Sequence, residues 1–218
     1  MERTADPDGL RPTTMREHLV GYPALALALI INNYAGHLAD AQGETAGIAP
    51  DLLLGWLPHW DTSPLFIYGF TIFLIWLIAA GIWRERRRVL RILWSYAILV
   101  SLRSFFISLT PMHTPPDAIF SPDSPLCAFI GHHLTFKHDL FFSSHTALPF
   151  MAFLLFREAW VRISFLVISV IMAATVLIGR FHYSIDVFGA FFITYGLHTL
   201  ESHRIPQVYA FLTGVRRS

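Results

Sequence analysis

Cysteine is almost absent from this chain, and charged residues are scarce. The single cysteine, Cys127, excludes an intramolecular disulfide and a four-cysteine metal site. Charged residues make up 14% of the chain and hydrophobic residues 54%, which lies far outside the usual mixture of a soluble domain. With a formal net charge of +1 and no single basic tract, the chain gives no indication of a nucleic-acid partner. These features predict an integral membrane protein whose fold depends largely on the bilayer.

Long apolar runs fill most of the sequence. A helix that crosses a bilayer needs about 20 mostly apolar residues. Six candidate spans lie at residues 19–39, 64–83, 90–110, 140–156, 162–179 and 184–200. We therefore predict an all-α, polytopic membrane protein with six transmembrane helices. The membrane domain is expected at residues 19–200, between a tail at 1–18 and a C-terminal tail at 201–218, and the first span carries no recognisable cleavage site.

Basic residues predict the orientation of these spans. The stretch "RERRRVLR", residues 84–91, is the densest basic cluster and follows the second candidate span. Because positive charge accumulates in cytoplasmic loops, we expect this loop and, with six spans, both tails in the cytoplasm. Arg103, Lys137 and Arg180 then remain at or near the outer face. Since the chain is rich in arginine and poor in lysine, a bacterial inner membrane is the expected location.

Two segments are expected to form outer loops. The first contains "DLLLGWLPHWDTSP", residues 51–64, whose leucine, tryptophan and proline spacing indicates a segment lying on the membrane surface. The second, residues 111–139, is the longest stretch without a span and is rich in proline. Both loops lie on the side of the three outward basic residues.

Two histidines lie at the outer ends of apolar segments. His182 and Asp186 are four residues apart at the start of the sixth candidate span, so in a helix they would share one face. A carboxylate beside an imidazole fixes its tautomer and supports a nucleophilic or basic role. His145 lies near the start of the fourth span, at the same predicted depth. One histidine could attack phosphorus while the other protonates the leaving oxygen, which suits phosphoryl transfer.

Cationic residues near these histidines could bind the phosphoryl group. Arg103 lies near the outer end of its span, and Arg180 is two residues before His182. Guanidinium groups bind phosphate oxygens in a bidentate fork and stay charged. A helix that begins at Ser143 or Ser144 would add free backbone amides for an anion. The sequence therefore predicts a phosphate-binding site beside the histidines.

Other interpretations of the histidines remain open. Five of them are expected to be ordinary interfacial or hydrogen-bonded residues: His37, His59, His113, His198 and His203. The adjacent pair His132 and His133 could ligate a metal, but neighbouring side chains diverge in regular structure and no carboxylate lies close by, so no metal or other cofactor is expected. A membrane cytochrome with His145 as a haem ligand is an alternative that leaves Asp186 and Arg180 without a function. A non-catalytic scaffold or a transporter is another.

The motifs resemble those of one membrane enzyme family. "KHDLFFSSH" contains Asp139, Ser143, Ser144 and His145, and "HYSID" contains His182 and Asp186. Their spelling and spacing are similar to the motifs C-G-D-x-x-x-S-[GS]-H and H-Y-[ST]-x-D of the type 2 phosphatidic acid phosphatase superfamily, more narrowly its sphingomyelin synthase and inositol-phosphorylceramide synthase group. Arg103 resembles that group's arginine upstream of a Thr-x-Leu-Pro segment, and Arg180 its arginine before the His-Tyr pair. Lys137 and His138 replace the Cys-Gly pair.

The resemblance implies a fold and an activity. It implies a catalytic triad of His145, His182 and Asp186, metal-independent chemistry, and a six-helix core that opens to the extracytoplasmic side. Substrate contacts are expected from the remaining motif residues and outer cations: Arg103, Arg180, Asp139, Ser144 and Lys137. The implied reaction transfers a phospho-head group from a phospholipid to a ceramide or diacylglycerol hydroxyl through a phosphohistidine. A lipid phosphate phosphatase, in which water is the acceptor, is the nearest alternative.

Overall fold

A computed structural model describes residues 15–119, 129 and 136–213, and within these ranges it describes no side chains for residues 15–20, 87 and 203–213. The regular structure of these residues is entirely helical, which confirms the predicted all-α class. The α-helices are α1 (Met15–Gly43), α2 (Leu52–Trp56), α3 (Phe70–Arg84), α4 (Val89–Leu109), α5 (Ser144–Leu155), α6 (Ala159–Ile178) and α7 (Ser184–Thr213). A π-helical turn, Leu65–Gly69, leads into α3, and a short 3-10 turn, Arg86–Arg88, leads into α4.

Three helical segments in the described part of the chain are long and apolar enough to cross a membrane. They are Leu65–Arg84, Val89–Leu109 and Ala159–Ile178, close to the predicted spans at 64–83, 90–110 and 162–179. The apolar helix α5 has only 12 residues, which at 1.5 Å per residue gives about 18 Å, less than the roughly 30 Å of a hydrocarbon core. Six spans are therefore not confirmed, and crossing by α1, α5 and α7 stays a prediction.

The long helices extend past the predicted limits of the membrane domain. Helix α1 begins at Met15 and α7 continues to Thr213, so parts of both predicted tails are helical. Residues 1–14 and 214–218 lie outside the described residues, as does the His132–His133 pair.

The apolar core lies among α3, α4, α5 and α6. Helix α1 packs along α4, while α5 packs against both α6 and α7. One residue from each of these core helices, Phe73, Leu99, Met151 and Phe165 in that order, is fully buried in the largest cluster of apolar side chains. On the opposite side of α3, Ile75 and Ile78 are largely exposed. An exposed apolar helix face of this kind matches a surface in contact with lipid.

Helix α2 lies in the predicted interfacial segment. It begins after the helix-capping residue Asp51, and its Leu52 and Trp56 side chains are 84% and 83% exposed. The segment that contains it connects α1 with the π-helical turn and runs beside the turn between α6 and α7. The segment predicted to form the first outer loop therefore lies directly against the segment that carries His182.

Candidate functional site

His182 and Asp186 form a buried pair at the start of α7. The Asp186 carboxylate is fully buried, and its Oδ2 lies 3.4 Å from His182 Nδ1. His182 precedes the first residue of the helix, Ser184, so the pair does not form across a helix face as the spacing suggested. Instead, Asp186 Oδ2 reaches back and accepts the Tyr183 backbone N–H at 2.9 Å, as acidic residues in a first helical turn often do.

This arrangement assigns a tautomer to the His182 ring. With a carboxylate oxygen facing Nδ1, that nitrogen carries the proton and donates it to Asp186. The lone pair then lies on Nε2, on the other side of the ring. Such an imidazole is oriented for nucleophilic attack or proton abstraction, and the carboxylate stabilises the positive charge that develops during either step.

His145 is the second residue of α5 and packs against two aromatic rings. Its ring stacks on Phe66 at a centroid distance of 4.0 Å, and the Phe70 ring lies 4.2 Å away. The residue is 5% exposed, and its Nε2 is buried without a hydrogen-bond partner in the described part of the chain. The aromatic contacts restrict the orientation of the ring, while Nε2 keeps its capacity to exchange a proton with a bound molecule.

The beginnings of α5 and α7 are joined directly. The Ser143 N–H donates to the Asp186 carbonyl at 3.2 Å. Phe66, which stacks on His145, also packs against Phe181, the residue before His182, at 4.4 Å. The structure thus brings the two predicted catalytic histidines and the predicted carboxylate together at one end of the helical core.

The Arg103 guanidinium is fully engaged within the protein. Its Nε donates to the Phe142 carbonyl at 2.9 Å, and its Nη1 donates to Asp139 Oδ2 at 2.8 Å and to Asn32 Oδ1 at 3.2 Å. Its Nη2 lies 2.7 Å from Asp139 Oδ1 and donates to the Asp139 carbonyl at 3.4 Å. Two residues predicted to contact substrate are therefore ion-paired with each other. Arg103 fixes the segment that leads into α5, and a phosphate would reach it only by replacing one of these acceptors.

Arg180 adopts a backbone conformation that usually belongs to glycine. Its φ is +60°, two residues after Ile178, the last residue of α6. The N–H groups of Phe181 and Arg180 return to the carbonyls of Val176 and Leu177, which is the hydrogen-bond pattern of a Schellman motif. The side chain donates through Nη2 to the Leu57 carbonyl at 3.2 Å, and its buried Nε has no hydrogen-bond partner among the described residues. Arg180 therefore retains a donor that a bound anion could use.

The last two residues predicted to contact substrate lie in different surroundings. Ser144 opens α5, and its hydroxyl lies 3.5 Å from His145 Nδ1, so it belongs to the histidine cluster. Lys137 forms an exposed ion pair with Glu44, just beyond the end of α1, at 2.8 Å. Its hydrogen bond is the largest of the effects that lower the pKa of the Glu44 carboxyl. The contact of Lys137 in this structure is thus with the α1 end of the first outer loop.

One group of residues has the composition of a metal site. Ligand atoms of Glu44, His113 and His138 all lie within 4.8 Å of one another. However, His138 Nδ1 accepts the Thr114 N–H at 3.1 Å, so the ring proton lies on Nε2, which faces Glu44 at 3.3 Å. The nitrogen that a metal would need is thus a donor to the carboxylate. Hydrogen bonding accounts for this cluster, and we assign no metal to it.

Sequence reasoning missed three kinds of contact at this site. Phe66 and Phe70 pack against His145, but nothing in the sequence distinguishes them from the rest of the chain's 19 phenylalanines. Asn32 contacts Arg103 from a distant part of the sequence. Asp51 accepts the Ser184 N–H at 2.6 Å. Only Asp51 carried a signal, because an aspartate before an apolar run is a typical helix-capping pattern.

Comparison with known proteins supports one superfamily. Residues 138–203 match the family model for the C-terminal region of the PAP2 superfamily, the type 2 phosphatidic acid phosphatases. The matched segment contains His145, His182 and Asp186, and it does not distinguish the sphingomyelin synthase branch. No curated protein and no solved structure matched the chain.

Proposed function

We propose that this protein is an integral-membrane lipid phosphotransferase that moves a phospho-head group from a phospholipid to the hydroxyl of a ceramide or diacylglycerol. The observation that carries the proposal is the oriented His182–Asp186 pair joined to the start of α5, where His145 lies. The PAP2 similarity supports action on lipid phosphates, by phosphatase or phosphotransferase chemistry. The motif spelling favours a sphingomyelin synthase-like acceptor.

The first half-reaction transfers the phospho-head group to the protein. The lone pair of His182 Nε2 attacks phosphorus, and the bond from phosphorus to the diacylglycerol oxygen breaks. Asp186 stabilises the positive charge on the ring through Nδ1–H. His145 donates a proton to the departing oxygen, so that diacylglycerol leaves as a neutral alcohol. Arg180 and the free amides at the start of α5 stabilise the negative phosphoryl oxygens.

The second half-reaction reverses these roles. The acceptor hydroxyl gives its proton to His145 as its oxygen attacks the phosphorus atom, and the phosphorus–nitrogen bond breaks. His182 is released with its lone pair on Nε2, and His145 is again protonated. If water takes the place of the acceptor alcohol, the same sequence gives a phosphatase. The site residues serve both reactions equally, so the acceptor decides between them.

The proposed orientation places the reaction at the extracytoplasmic face of a bacterial inner membrane. Support comes from the basic cluster at residues 84–91, which follows α3 and marks the cytoplasmic side. His145 and His182 both precede or begin helices at the other end of the core. The partners are then the lipids of the outer leaflet, both as donor and as acceptor.

A product analysis tests this proposal. The purified protein is incubated with head-group-labelled phosphatidylcholine, phosphatidylethanolamine or phosphatidylinositol, with and without ceramide or diacylglycerol. Label in a new sphingolipid or glycerolipid supports the transferase. Label released as phosphorylated head group, independent of acceptor, supports the phosphatase. Haem absorbance in the purified protein, without turnover of any lipid, would contradict both.

A further inference from the structure

The first outer loop follows the catalytic segment in antiparallel order. We define the strap as residues 49–62, and the catalytic segment as residues 175–186. Five hydrogen bonds between described residues join them: Ala49 N to Tyr183 Oη at 3.3 Å, Ser184 N to Asp51 Oδ2 at 2.6 Å, Arg180 Nη2 to Leu57 O at 3.2 Å, Trp60 N to Ile178 O at 3.3 Å, and Thr62 Oγ1 to Thr175 O at 2.9 Å. From Asp51 to Thr62 the positions ascend in the strap while their partners descend in the catalytic segment, from Ser184 to Thr175. The contact is therefore continuous along the turn between α6 and α7.

Asp51 connects the strap to α7, because its carboxylate caps the starts of two helices at once. Its Oδ1 accepts the N–H groups of Leu53 and Leu54 at 3.0 and 3.1 Å, at the start of α2. Its Oδ2 accepts the N–H of Ser184, the first residue of α7. Backbone amides at helix starts lack partners within the helix, and an ionised carboxylate is their strongest acceptor. Asp51 lies outside the PAP2-like segment, yet it caps the start of α7, where the His182–Asp186 pair lies.

The capped amide lies between the two members of that pair. Ser184 follows His182 by two residues and precedes Asp186 by two. Asp186 fixes the Tyr183 N–H, and Asp51 fixes the next amide along the chain. The two carboxylates together determine the first turn of α7. That turn sets the distance between Asp186 Oδ2 and His182 Nδ1.

We propose that the strap positions the catalytic segment and that Asp51 is its positioning residue, an inference that rests on the proposed function. Asp51 touches no reacting atom in this account. It acts through Ser184 on the orientation of the His182 ring. Loss of Asp51 should therefore slow formation of the phosphoenzyme and leave substrate binding nearly unchanged.

Asp61 provides a matched control. It lies in the same strap, and its Oδ1 accepts the N–H of Ser63 at 2.9 Å, so it makes the same kind of local cap two residues downstream. Its carboxylate contacts shown here are with Ser63 and not with α7. Asp61→Asn therefore removes a carboxylate from the strap without removing the Ser184 acceptor.

The test compares Asp51→Asn, Asp51→Ala and Asp61→Asn with the unmodified protein. The rate of p-nitrophenolate release in a single turnover of a lipid-like p-nitrophenyl phosphodiester reports phosphoenzyme formation. We expect Asp51→Ala to lower this rate at least about tenfold with KM changed less than about threefold, Asp51→Asn to be intermediate, and Asp61→Asn to stay within about twofold of the unmodified rate. Equal effects of the Asp51 and Asp61 variants, or a change confined to KM, would overturn the proposal.

A second readout does not depend on activity. Amide hydrogen exchange in the peptide covering residues 180–186 should rise in Asp51→Asn and stay unchanged in Asp61→Asn. An asparagine at position 51 has one uncharged carbonyl oxygen in place of two carboxylate oxygens, so it cannot accept from both the α2 amides and Ser184, whereas Asp61→Asn leaves both Asp51 acceptors in place. Unchanged exchange in both asparagine variants would contradict the proposed role of the strap. This readout applies even if Asp51→Ala fails to fold. If exchange is faster in Asp51→Asn but the unmodified protein turns over no lipid phosphate, the role of the strap is supported and the proposed function is refuted.

Discussion

The Phe66 ring stacks on the imidazole of His145, with centroids 4.0 Å apart and 21° between the ring planes. Phe66 belongs to the π-helical turn Leu65–Gly69, a type of helical irregularity that is frequent at functional sites. Because the same ring also packs on Phe181, it links the surroundings of both histidines. The aromatic contact restricts the orientation of the proposed acid without adding a hydrogen bond to it.

We predict that Phe66→Leu will affect the acid step selectively. Leucine preserves apolar burial but removes the flat surface on which His145 stacks, so His145 should protonate a lipid alkoxide less well. Turnover of a natural phospholipid should fall about tenfold, while release of p-nitrophenolate, which needs no proton, should change much less. Phe165→Leu is the control, because Phe165 is fully buried and packs on Phe73 and Phe156, away from the histidines. Equal losses with both substrates would show that Phe66 acts only through the fold.

Arg180 offers a test in which stability and activity move apart. An arginine at a φ of +60° is strained by roughly 1 kcal/mol, which glycine would relieve. Arg180→Gly should therefore unfold at the same or a higher temperature in detergent, but its turnover should fall at least about a hundredfold because a phosphate-binding donor is lost. Arg180→Asn separates loss of the guanidinium from added loop flexibility, because asparagine also adopts a positive φ but has less backbone freedom than glycine. An active Asn variant would mean that Arg180 serves only to terminate α6 and does not bind phosphate.

The Arg103–Asp139 ion pair predicts a different result. Removing one partner leaves a buried charge alone, so Asp139→Leu and Arg103→Met should each lower stability by on the order of 3 kcal/mol. The double variant Arg103→Met with Asp139→Leu should recover most of that stability, because no buried charge remains. If the pair only holds the start of α5, activity should recover as well. Recovered stability without activity would assign Arg103 to the phosphate, as the sequence predicted.

Several parts of this fold could be read from the sequence for clear physical reasons. A bilayer demands a minimum apolar length, so the span predicted at 64–83 lies within one residue of Leu65–Arg84 at each end. Serine favours helix starts, and α5 begins at Ser144. Local spacing was sufficient to predict that His182 lies next to Asp186. The two side chains do not share a helix face, however, because Asp186 turns back toward His182 and accepts the Tyr183 N–H.

The contacts that depend on tertiary structure were not predictable. Arg103 was expected to bind phosphate because it lies near the outer end of its span, at the predicted depth of the histidines. The fold supplies one, Asp139, from a loop 36 residues away. The stacking of Phe66 on His145 depends on how α3 packs beside α5, and phenylalanine in an apolar span carries no positional signal. The strap was recognised as interfacial, but its hydrogen bonds to the catalytic segment required the structure.

The acid dependence of stability should contain a contribution from Asp51. Burial alone would raise the pKa of this carboxyl, but hydrogen bonds from the Ser184 and Leu54 amides lower it below its ordinary value. A carboxyl with a lowered pKa in the folded state contributes stability above its unfolded pKa, about 3.9, and loses that contribution as the pH falls through the folded value. The unfolding temperature of Asp51→Asn should therefore lie below that of the unmodified protein near neutral pH, and the two should converge as the pH falls through the lowered folded pKa of Asp51. A constant difference at all pH values would contradict this assignment.

The central claim is that His182 becomes covalently phosphorylated, and rapid-quench trapping tests it most directly. The protein is mixed with a phosphorus-labelled phospholipid, quenched, and examined for acid-labile, base-stable label on the polypeptide. We predict such label in the unmodified protein and its loss in His182→Ala. Labelling should be slower in Asp186→Asn, because the ring loses its orienting carboxylate. It should be retained in His145→Ala when a p-nitrophenyl substrate is used, because that leaving group needs no proton. Label that persists in His182→Ala and disappears in His145→Ala would contradict the account.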